Sequence, residues 1–402
     1  MMKKVIILLV ICLFLPGCWD LTEPEKLGLV MALGVDLAEN NQIELICAEV
    51  NVRAVAGGGM GSNGATVEPP FHIHSGTGIT IFDAIRRMSR EAAYRLFFGH
   101  IQAIILSEEL ATTRGIRPVI DFFERDPEMR RGTWLLIAKK GQLTKVLTSD
   151  MPIKDSKGQF LAGIIKHRER SSFYAPNRLG DFVEFFTEQG HETYTAGVIV
   201  TSVPSEENPA STGNPSKPQT ADLAVLDTAI FKNDKMVGWF NDRESRGLLW
   251  VKGQVRGGVI NAPWKDQQIA LEILSSQAQV KPVIVDGKIQ FNIHIKVKSN
   301  IGESQTDLDF SQTKVIEEIQ KLQSQEVKKE IVMAFNKSKE LESDPFGFGR
   351  HFYASFPQQW NQIKEQWYEY YPNIALNITV DSEISRIGII SKTARKSDGK
   401  EE

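Results

Sequence analysis

Two histidines spaced two residues apart are the first side chains that could do chemistry together. His72 and His74 lie in a run that predicts a β-strand, and residues two apart on a strand share one face. A strand can offer two imidazoles to a metal ion in this way. No further ligand follows at a suitable spacing, so we interpret them as solvent-facing strand histidines and predict no metal site. The other histidines have no cysteine or carboxylate at a ligand-like spacing; they are His100, His167, His191, His294 and His351.

The sequence also contains no complete motif for nucleophilic catalysis or for cofactor binding. Serine, histidine and aspartate are present, but no Gly-x-Ser-x-Gly elbow occurs. Residues 59–64 match the Gly-x-Gly-x-x-Gly dinucleotide fingerprint in form, yet that motif needs a helix to begin at its last glycine. Pro69 and Pro70 follow instead, which predicts a flexible loop. We therefore predict no catalytic residue and no cofactor.

The thiol of Cys18 carries the strongest chemical signal. Residues 1–4 (MMKK) are basic and residues 5–15 (VIILLVICLFL) are apolar, which is the layout of a signal peptide. As a helix this apolar run spans roughly 16 Å, about half of the hydrocarbon layer. Residues 15–18 (LPGC) resemble the lipobox, in which a thiol accepts a diacylglyceryl group and the chain is cut just before it. We predict a lipoprotein signal peptide at 1–17 and a membrane anchor on Cys18; the alternative is an ordinary secretory leader with an accidental cysteine.

The other cysteines leave no pair for a disulfide. Of the three cysteines, Cys12 lies inside the leader, so a disulfide framework is excluded once Cys18 is acylated. Cys47 lies in the apolar run IELICAEV and is predicted to be a small buried residue.

Composition indicates a globular protein without a nucleic-acid partner. The chain has 402 residues, of which 42% are hydrophobic and 24% charged, enough for two or three cores of usual size. Its 47 basic and 50 acidic residues give a net charge of −3. A nucleic-acid-binding domain normally presents a basic face, so binding to nucleic acid is not predicted.

The first half of the chain predicts alternating strands and helices within an N-terminal region, 18–202, that could divide near residue 150. Residues 27–36 and 43–52 read as an antiparallel hairpin, and 96–107 as one buried strand. Further elements are a helix capped by Thr80 and Asp83, helices between Ser107 and Asp126, a strand at 133–138, a helix with Leu179 and Phe182 on one face, and a strand at 195–202.

A proline-rich stretch, 203–220, predicts a linker and the main domain boundary. Residues 221–390 then predict a C-terminal α/β domain, followed by a polar tail at 391–402. Its predicted elements are strands at 221–231 and 235–240, a short helix at 243–250, an alternating strand at 288–298 with His294 on the wet face, a long helix at 313–342 and a strand at 374–384. The predicted fold class is mixed α/β (α+β), multi-domain, with β-sheets flanked by helices.

Three further features have a functional and a structural interpretation. Residues 125–131 (RDPEMRR) could form a charged patch for a partner subunit, but a solvated turn after a helix is preferred. Trp360 and Trp367 share a helical face, which is more typical of a core than of an interface. Residues 344–349 (DPFGFG) predict a tight loop whose glycines free the backbone; nothing in the sequence supports a ligand there.

These strings together resemble the Ger(x)C family of spore germination lipoproteins, the C subunits of nutrient germinant receptors. The resemblance runs over nearly the whole chain. It is carried by CWD after the leader, LGLVMALGVD, FFGHIQAIILSEELATTRGIRPVIDFFERDPEMR, AIFKNDKMVGWFNDRESRGLLWVKG, DPFGFG and PQQWNQIKEQWYEYYP.

The resemblance implies a three-part mixed α/β architecture and a non-enzymatic role. It implies assembly with an integral A subunit and a transporter-like B subunit, at the outer surface of the spore inner membrane, into a receptor that responds to nutrients and triggers germination. Whether this subunit contacts a small-molecule nutrient stays open. Two alternatives are a lipid-anchored extracytoplasmic solute-binding protein and, less favoured, a surface hydrolase.

Overall fold

A computed structural model describes residues 27–50, 71–149, 157–167, 171–202 and 221–386 of the chain. These residues form two β-sheets flanked by helices, which confirms the predicted mixed α/β class. Cys18, the glycine-rich 59–64 motif, the 203–220 segment and the 391–402 tail lie outside the described residues.

The first sheet contains ten strands of the described chain in the order β10-β9-β8-β6-β5-β1-β2-β3, with β4 beside β1 and β7 beside β6. Its central strands β1, β5, β6 and β8 are parallel, and antiparallel strands extend it on both sides. The strands are β1 (Leu27–Leu37), β2 (Ile43–Val50), β3 (Phe71–Gly78), β4 (Arg95–Phe97), β5 (Ala103–Ser107), β6 (Trp134–Ala138), β7 (Asn177–Arg178), β8 (Tyr194–Ser202), β9 (Ala221–Lys232) and β10 (Lys235–Phe240).

Helices cover both faces of this sheet because its central strands are apolar on both sides. In β5, Ile104 and Leu106 face one core while Ala103 and Ile105 face the other. One face carries α1 (Ile81–Met88), α2 (Glu108–Thr113), α3 (Arg117–Arg125) and α6 (Leu179–Thr187), and the opposite face carries α4 (Leu143–Thr148) and α5 (Lys157–Lys166).

Local sequence signals determine several element ends. The Thr80 hydroxyl accepts from the Asp83 amide at 3.1 Å and so caps α1, and Ser107 caps α2 through the Leu110 amide at 3.1 Å. The predicted hairpin is confirmed as β1 and β2, which are antiparallel. Cys47 is fully buried in β2, as predicted, and burial raises the pKa of its thiol to about 12.

The prediction of one continuous strand over 96–107 is wrong. The chain leaves β4 after Phe97, makes a turn in which the Ile101 amide donates to the Phe98 carbonyl at 3.1 Å, and re-enters the sheet at Ala103. The Phe98 amide donates instead to the Glu128 carboxylate at 3.0 Å. This side-chain acceptor satisfies a backbone donor that a strand would have paired.

The strands that precede and follow the 203–220 segment pair with each other. β8 ends at Ser202, β9 begins at Ala221, and the two strands are antiparallel neighbours. The predicted linker therefore lies between two hydrogen-bonded strands of one sheet. The division of the chain into domains stays a prediction.

The second sheet has four strands in the order β11-β12-β13-β14. They are β11 (Val259–Trp264), β12 (Gln267–Val285), β13 (Lys288–Ser304) and β14 (Ala375–Arg386). As predicted, β13 buries Phe291, Ile293 and Ile295 on one face, while His294 lies on the other, with its Nε2 3.0 Å from an Asp381 carboxylate oxygen.

Helices of the second half cover the dry face of this sheet. They are α7 (Asp242–Val251), α8 (Thr313–Glu340), α9 (Phe348–Ser355), α10 (Pro357–Ile363) and α11 (Trp367–Tyr370). Helices α7 and α8 approach closely at Gly247, where an added Cβ would lie 2.2 Å from the Glu330 carbonyl oxygen. The clusters on the two faces of the first sheet are together called the first core below, and the cluster on the second sheet is called the second core. The two cores meet where the segment before β8 contacts the loop before α9.

Candidate functional site

The junction between the two cores is built from residues 188–193 and the DPFGFG loop. The Arg350 amide donates to the Gly190 carbonyl at 2.6 Å, and the Glu192 amide donates to the Asp344 carbonyl at 3.0 Å. Gly190 has φ +79°, and an added Cβ would lie 2.5 Å from the Gly349 carbonyl carbon. Glycine is required here both for its left-handed conformation and for the close backbone approach.

Asp344 organises the loop on the second-core side. Its fully buried carboxylate accepts from the amides of Phe348 at 3.0 Å and Gly349 at 2.8 Å and from the Trp367 indole at 3.2 Å. Burial raises the pKa of Asp344 to about 6, although these donors oppose the shift. A carboxylate at the first turn of α9 also satisfies amides that have no partner within the helix. The predicted tight loop is thus stabilised by its own first residue.

Glu192 connects three parts of the junction. One carboxylate oxygen accepts from the Asn233 amide, at the β9–β10 turn, at 2.6 Å. The other accepts from the Tyr368 hydroxyl of α11. Burial raises the pKa of Glu192 to about 7, while both hydrogen bonds act in the opposite direction. The carboxyl group is therefore close to its titration point near neutral pH.

The two tryptophans predicted to belong to a core are buried at this junction. Trp360 and Trp367 have ring centroids 5.2 Å apart. The Trp360 indole donates to the Gln189 side chain at 3.3 Å. These rings therefore contribute both apolar packing and cross-junction hydrogen bonds.

The two histidines of the predicted strand differ in their exposure to solvent. His72 is exposed, but His74 is largely buried, with Nε2 2.6 Å from a carboxylate oxygen of Glu49. The interpretation of both histidines as solvent-facing is therefore wrong for His74. Space for the buried Glu49 side chain comes from Gly28, where an added Cβ would lie 2.6 Å from Oε1. Among the described residues, no three His, Cys, Asp or Glu side chains are grouped to hold a metal ion.

The charged stretch after α3 is paired within the protein. Glu128 accepts from Arg95 at 2.9 Å, Arg125 pairs with Asp121, and Arg131 pairs with Glu124. These pairs give the stretch a structural role in the turn. A contact with a partner subunit stays a prediction.

The junction residues were missed as a site at the sequence level. His191, Glu192 and Lys252 belong to no recognisable sequence motif. Only neighbouring segments of the sequence were singled out. The one available signal was the DPFGFG string, whose glycines indicated close backbone contacts. The partner segment 188–193 lies more than 150 residues away in the chain, and its place beside the loop depends on tertiary structure.

Fold and junction define a mixed α/β protein in which two cores are held together by buried polar contacts. No helix within the described ranges is long and apolar enough to cross a membrane. The model of the family described as "Spore germination protein N-terminal domain" matches residues 20–200, and that described as "Spore germination B3/ GerAC like, C-terminal" matches residues 227–388.

Full-length relatives agree with these matches. The chain is 27% identical to "Spore germination protein KC" of Bacillus subtilis (strain 168), covering 96% of this chain and 95% of the relative. It is 24% identical to "Spore germination protein B3" of the same organism, covering 97% and 99%. The solved structure described as "Crystal Structure of the GerBC protein" superposes with a TM-score of 0.56 at 20% identity, over 88% of this chain and 96% of that chain.

The chain belongs to the GerAC/GerKC-type family of spore germination C subunits. This family consists of germination proteins and not of enzymes, which agrees with the prediction of a non-enzymatic chain. The solved structure supports the fold: two sheets flanked by helices.

Proposed function

We propose that the chain is a lipid-anchored subunit of a spore germinant receptor, which assembles with integral-membrane A and B subunits at the outer surface of the spore inner membrane. The observation that carries the proposal is the similarity to spore germination proteins over at least 96% of the chain. Similarity of this extent includes both cores and the junction, so it favours a shared role for the whole chain.

Acylation of Cys18 would supply the attachment to the membrane. Each buried methylene contributes about 0.8 kcal/mol, so each acyl chain beyond the first adds on the order of 10 kcal/mol, and two chains anchor a protein stably. Leu27, the first residue of β1, lies nine positions after Cys18. An extended chain spans at most about 3.5 Å per residue. The anchor would therefore hold the start of β1 within roughly 30 Å of the bilayer surface.

The anchor is tested by Cys18→Ala, with Cys47→Ala as the matched control. Mass spectrometry of the wild-type chain should show a diacylglyceryl group on an amino-terminal Cys18, and Cys18→Ala should lack it. The control changes a buried thiol and should keep the lipid. An unmodified, unprocessed wild-type amino terminus would contradict the proposal whatever the membrane fraction contains.

The receptor role is tested in spores that lack this chain. Without a paralogous receptor to compensate, such spores should fail to show the fall in optical density that follows nutrient addition. Co-purification of the wild-type chain with A and B subunits from spore membranes should accompany the normal response. A normal response of the deletion spores to every nutrient tried would overturn the receptor role while leaving the lipid anchor intact.

A further inference from the structure

A cavity lies beside the junction, on the side of the segment 188–193 that faces α7. Its volume is about 470 Å³, within the range of small-molecule sites. Aromatic surface comes from Trp134, Phe185 and Tyr194. The charged lining residues are three acids and three bases, joined by one histidine; they are Asp181, Glu184, Glu188, Arg178, Lys252, Arg350 and His191.

His191 is the buried group that the fold leaves unexplained. Its side chain is 3% exposed, and its Nε2 lies 4.0 Å from a carboxylate oxygen of Glu188. Within the described part of the chain neither ring nitrogen has a hydrogen-bond partner within 3.5 Å. Leaving a buried polar group unpaired is unfavourable, and most such groups in proteins are satisfied. The ring packs edge-on against Phe185, with centroids 4.6 Å apart. His191 is one of the residues that line this cavity.

Charges of both signs lie near His191: the cations Lys252 and Arg350 and the carboxylate of Glu188. Burial, together with the positive charges of Lys252 and Arg350, lowers the pKa of His191 to about 4, so the ring is neutral at pH 7 and one nitrogen donates. The Lys252 ammonium uses one N–H to donate to the Phe346 carbonyl at 2.9 Å. It forms no ion pair within the described ranges, whereas Arg350 is paired with Glu188 at 2.8 Å. Burial lowers the pKa of Lys252 to about 8, and the charge of Asp344 opposes this shift, so the amine is still largely protonated at pH 7. Two donors with spare capacity thus converge on one cavity.

We propose that this cavity binds a small monocarboxylate, whose carboxylate accepts hydrogen bonds from the Lys252 ammonium and the His191 ring while its apolar part packs against Phe185 and Trp134. A carboxylate has the acceptor geometry that both donors need. Three acidic and three basic side chains line the same cavity, so its lining has no excess of positive charge that would favour a dianion such as phosphate over a monoanion. The site is therefore a monoanion site with an aromatic wall.

The probe that tests this site is 3-phenylpropionate, with its amide and inorganic phosphate as comparison ligands. Titration calorimetry on the full-length chain in detergent micelles should show 3-phenylpropionate binding at least tenfold more tightly than either. Lys252→Met should weaken that binding by at least tenfold, which corresponds to about 1.4 kcal/mol. Lys298→Met is the matched control, because Lys298 lies on the outer face of β13 beside Glu383, and it should bind as the wild type does.

A second measurement follows the wild-type chain itself, and a substitution serves only to assign the resonance. A carboxylate beside His191 opposes the field of Lys252 and Arg350, so the His191 pKa should rise in the complex. The ring resonance, assigned by its loss in His191→Gln, should report this rise in the wild-type chain. Absence of wild-type binding, equal affinity for acid and amide, or an unchanged His191 titration in the saturated complex would each overturn the proposal.

Discussion

Glu192 and Tyr368 join the two cores directly, because the Tyr368 hydroxyl of α11 donates to a carboxylate that lies two residues before β8 of the first sheet. The second oxygen of Glu192 is held by the Asn233 amide at 2.6 Å. A buried carboxyl group is thus shared between the two halves of the chain. Any relative movement of the halves must break this contact and leave Glu192 with fewer donors.

Tyr368→Phe should therefore lower the free energy of unfolding by about 1–3 kcal/mol, the usual cost of leaving a buried acceptor without its donor. The measurement is urea unfolding of wild type and variant at pH 7. Tyr370→Phe, an exposed tyrosine in the same helix, is the control and should change the value by less than about 0.5 kcal/mol. Equal effects of the two substitutions would show that the hydroxyl contributes nothing specific.

Glu192→Gln should change how stability depends on pH. Burial raises the pKa of Glu192 from 4.5 to about 7, so the folded chain holds this proton more tightly than the unfolded chain. The resulting stabilisation is fully present below pH 4.5 and is lost as the pH rises through 7.

Glutamine cannot titrate, so this loss is absent from the variant. Relative to wild type, Glu192→Gln should gain about 1–3 kcal/mol of unfolding free energy between pH 5 and pH 7.5, since each pKa unit corresponds to about 1.4 kcal/mol. Asp344, whose pKa burial also raises, is present in both proteins and cancels in the comparison. Urea midpoints at the two pH values measure the difference, and parallel pH profiles would contradict the assignment.

Gly190→Ala should destabilise the protein far more than Gly141→Ala. Both glycines have positive φ, +79° and +69°, so alanine at either position carries a conformational cost of about 1–2 kcal/mol. Only at Gly190 would the new Cβ meet backbone, 2.5 Å from the Gly349 carbonyl carbon, while Gly141 has nothing within 4 Å. We expect an additional loss of about 1–3 kcal/mol at Gly190, measured by denaturant unfolding. Similar losses for both variants would mean that the junction readily opens at this point.

Patterns set by local physics were predictable from the sequence. Strand β13 alternates because one face is dry, and α1 begins where Thr80 can cap it. The break in the predicted 96–107 strand was not visible, because apolar residues continue on both sides of Gly99 and His100. The turn is stabilised by Glu128, a residue about 30 positions later.

Sequence reasoning missed the contacts between residues that lie far apart in the chain. No element was predicted for most of 254–285, where β11 and β12 lie, since only part of β12 alternates and its register is set by pairing with β13. Burial of His74 against Glu49 depends on the room above Gly28 in a third strand. Likewise, His191 and Lys252 come together only when the two cores pack. Spacing along the chain carries no signal for such contacts.

Arg246 and Glu330 form an ion pair in the second core, and substituting them tests how much this pair contributes to the free energy of unfolding. Both side chains are buried, with Nε 2.8 Å from a carboxylate oxygen, and the same oxygen accepts from the Trp250 indole at 2.9 Å. In Arg246→Met the buried Glu330 carboxylate would keep only the half-exposed Arg243, 3.7 Å away, as a charged partner. Breaking a buried pair in this way should lower the free energy of unfolding by about 3 kcal/mol. Lys298→Met breaks an exposed pair with Glu383 and should cost less than about 1 kcal/mol.

The double variant Arg246→Met/Glu330→Met distinguishes a lost attraction from a stranded charge. Replacing both ions by apolar groups of similar length removes the desolvation penalty as well as the attraction. It should therefore recover more than half of the loss seen in Arg246→Met, with a residual of about 1 kcal/mol from the Trp250 indole that no longer has its acceptor. Urea unfolding of the four proteins forms a double-mutant cycle. A double variant as unstable as Arg246→Met would mean that packing between α7 and α8, and not the buried charge, sets the cost.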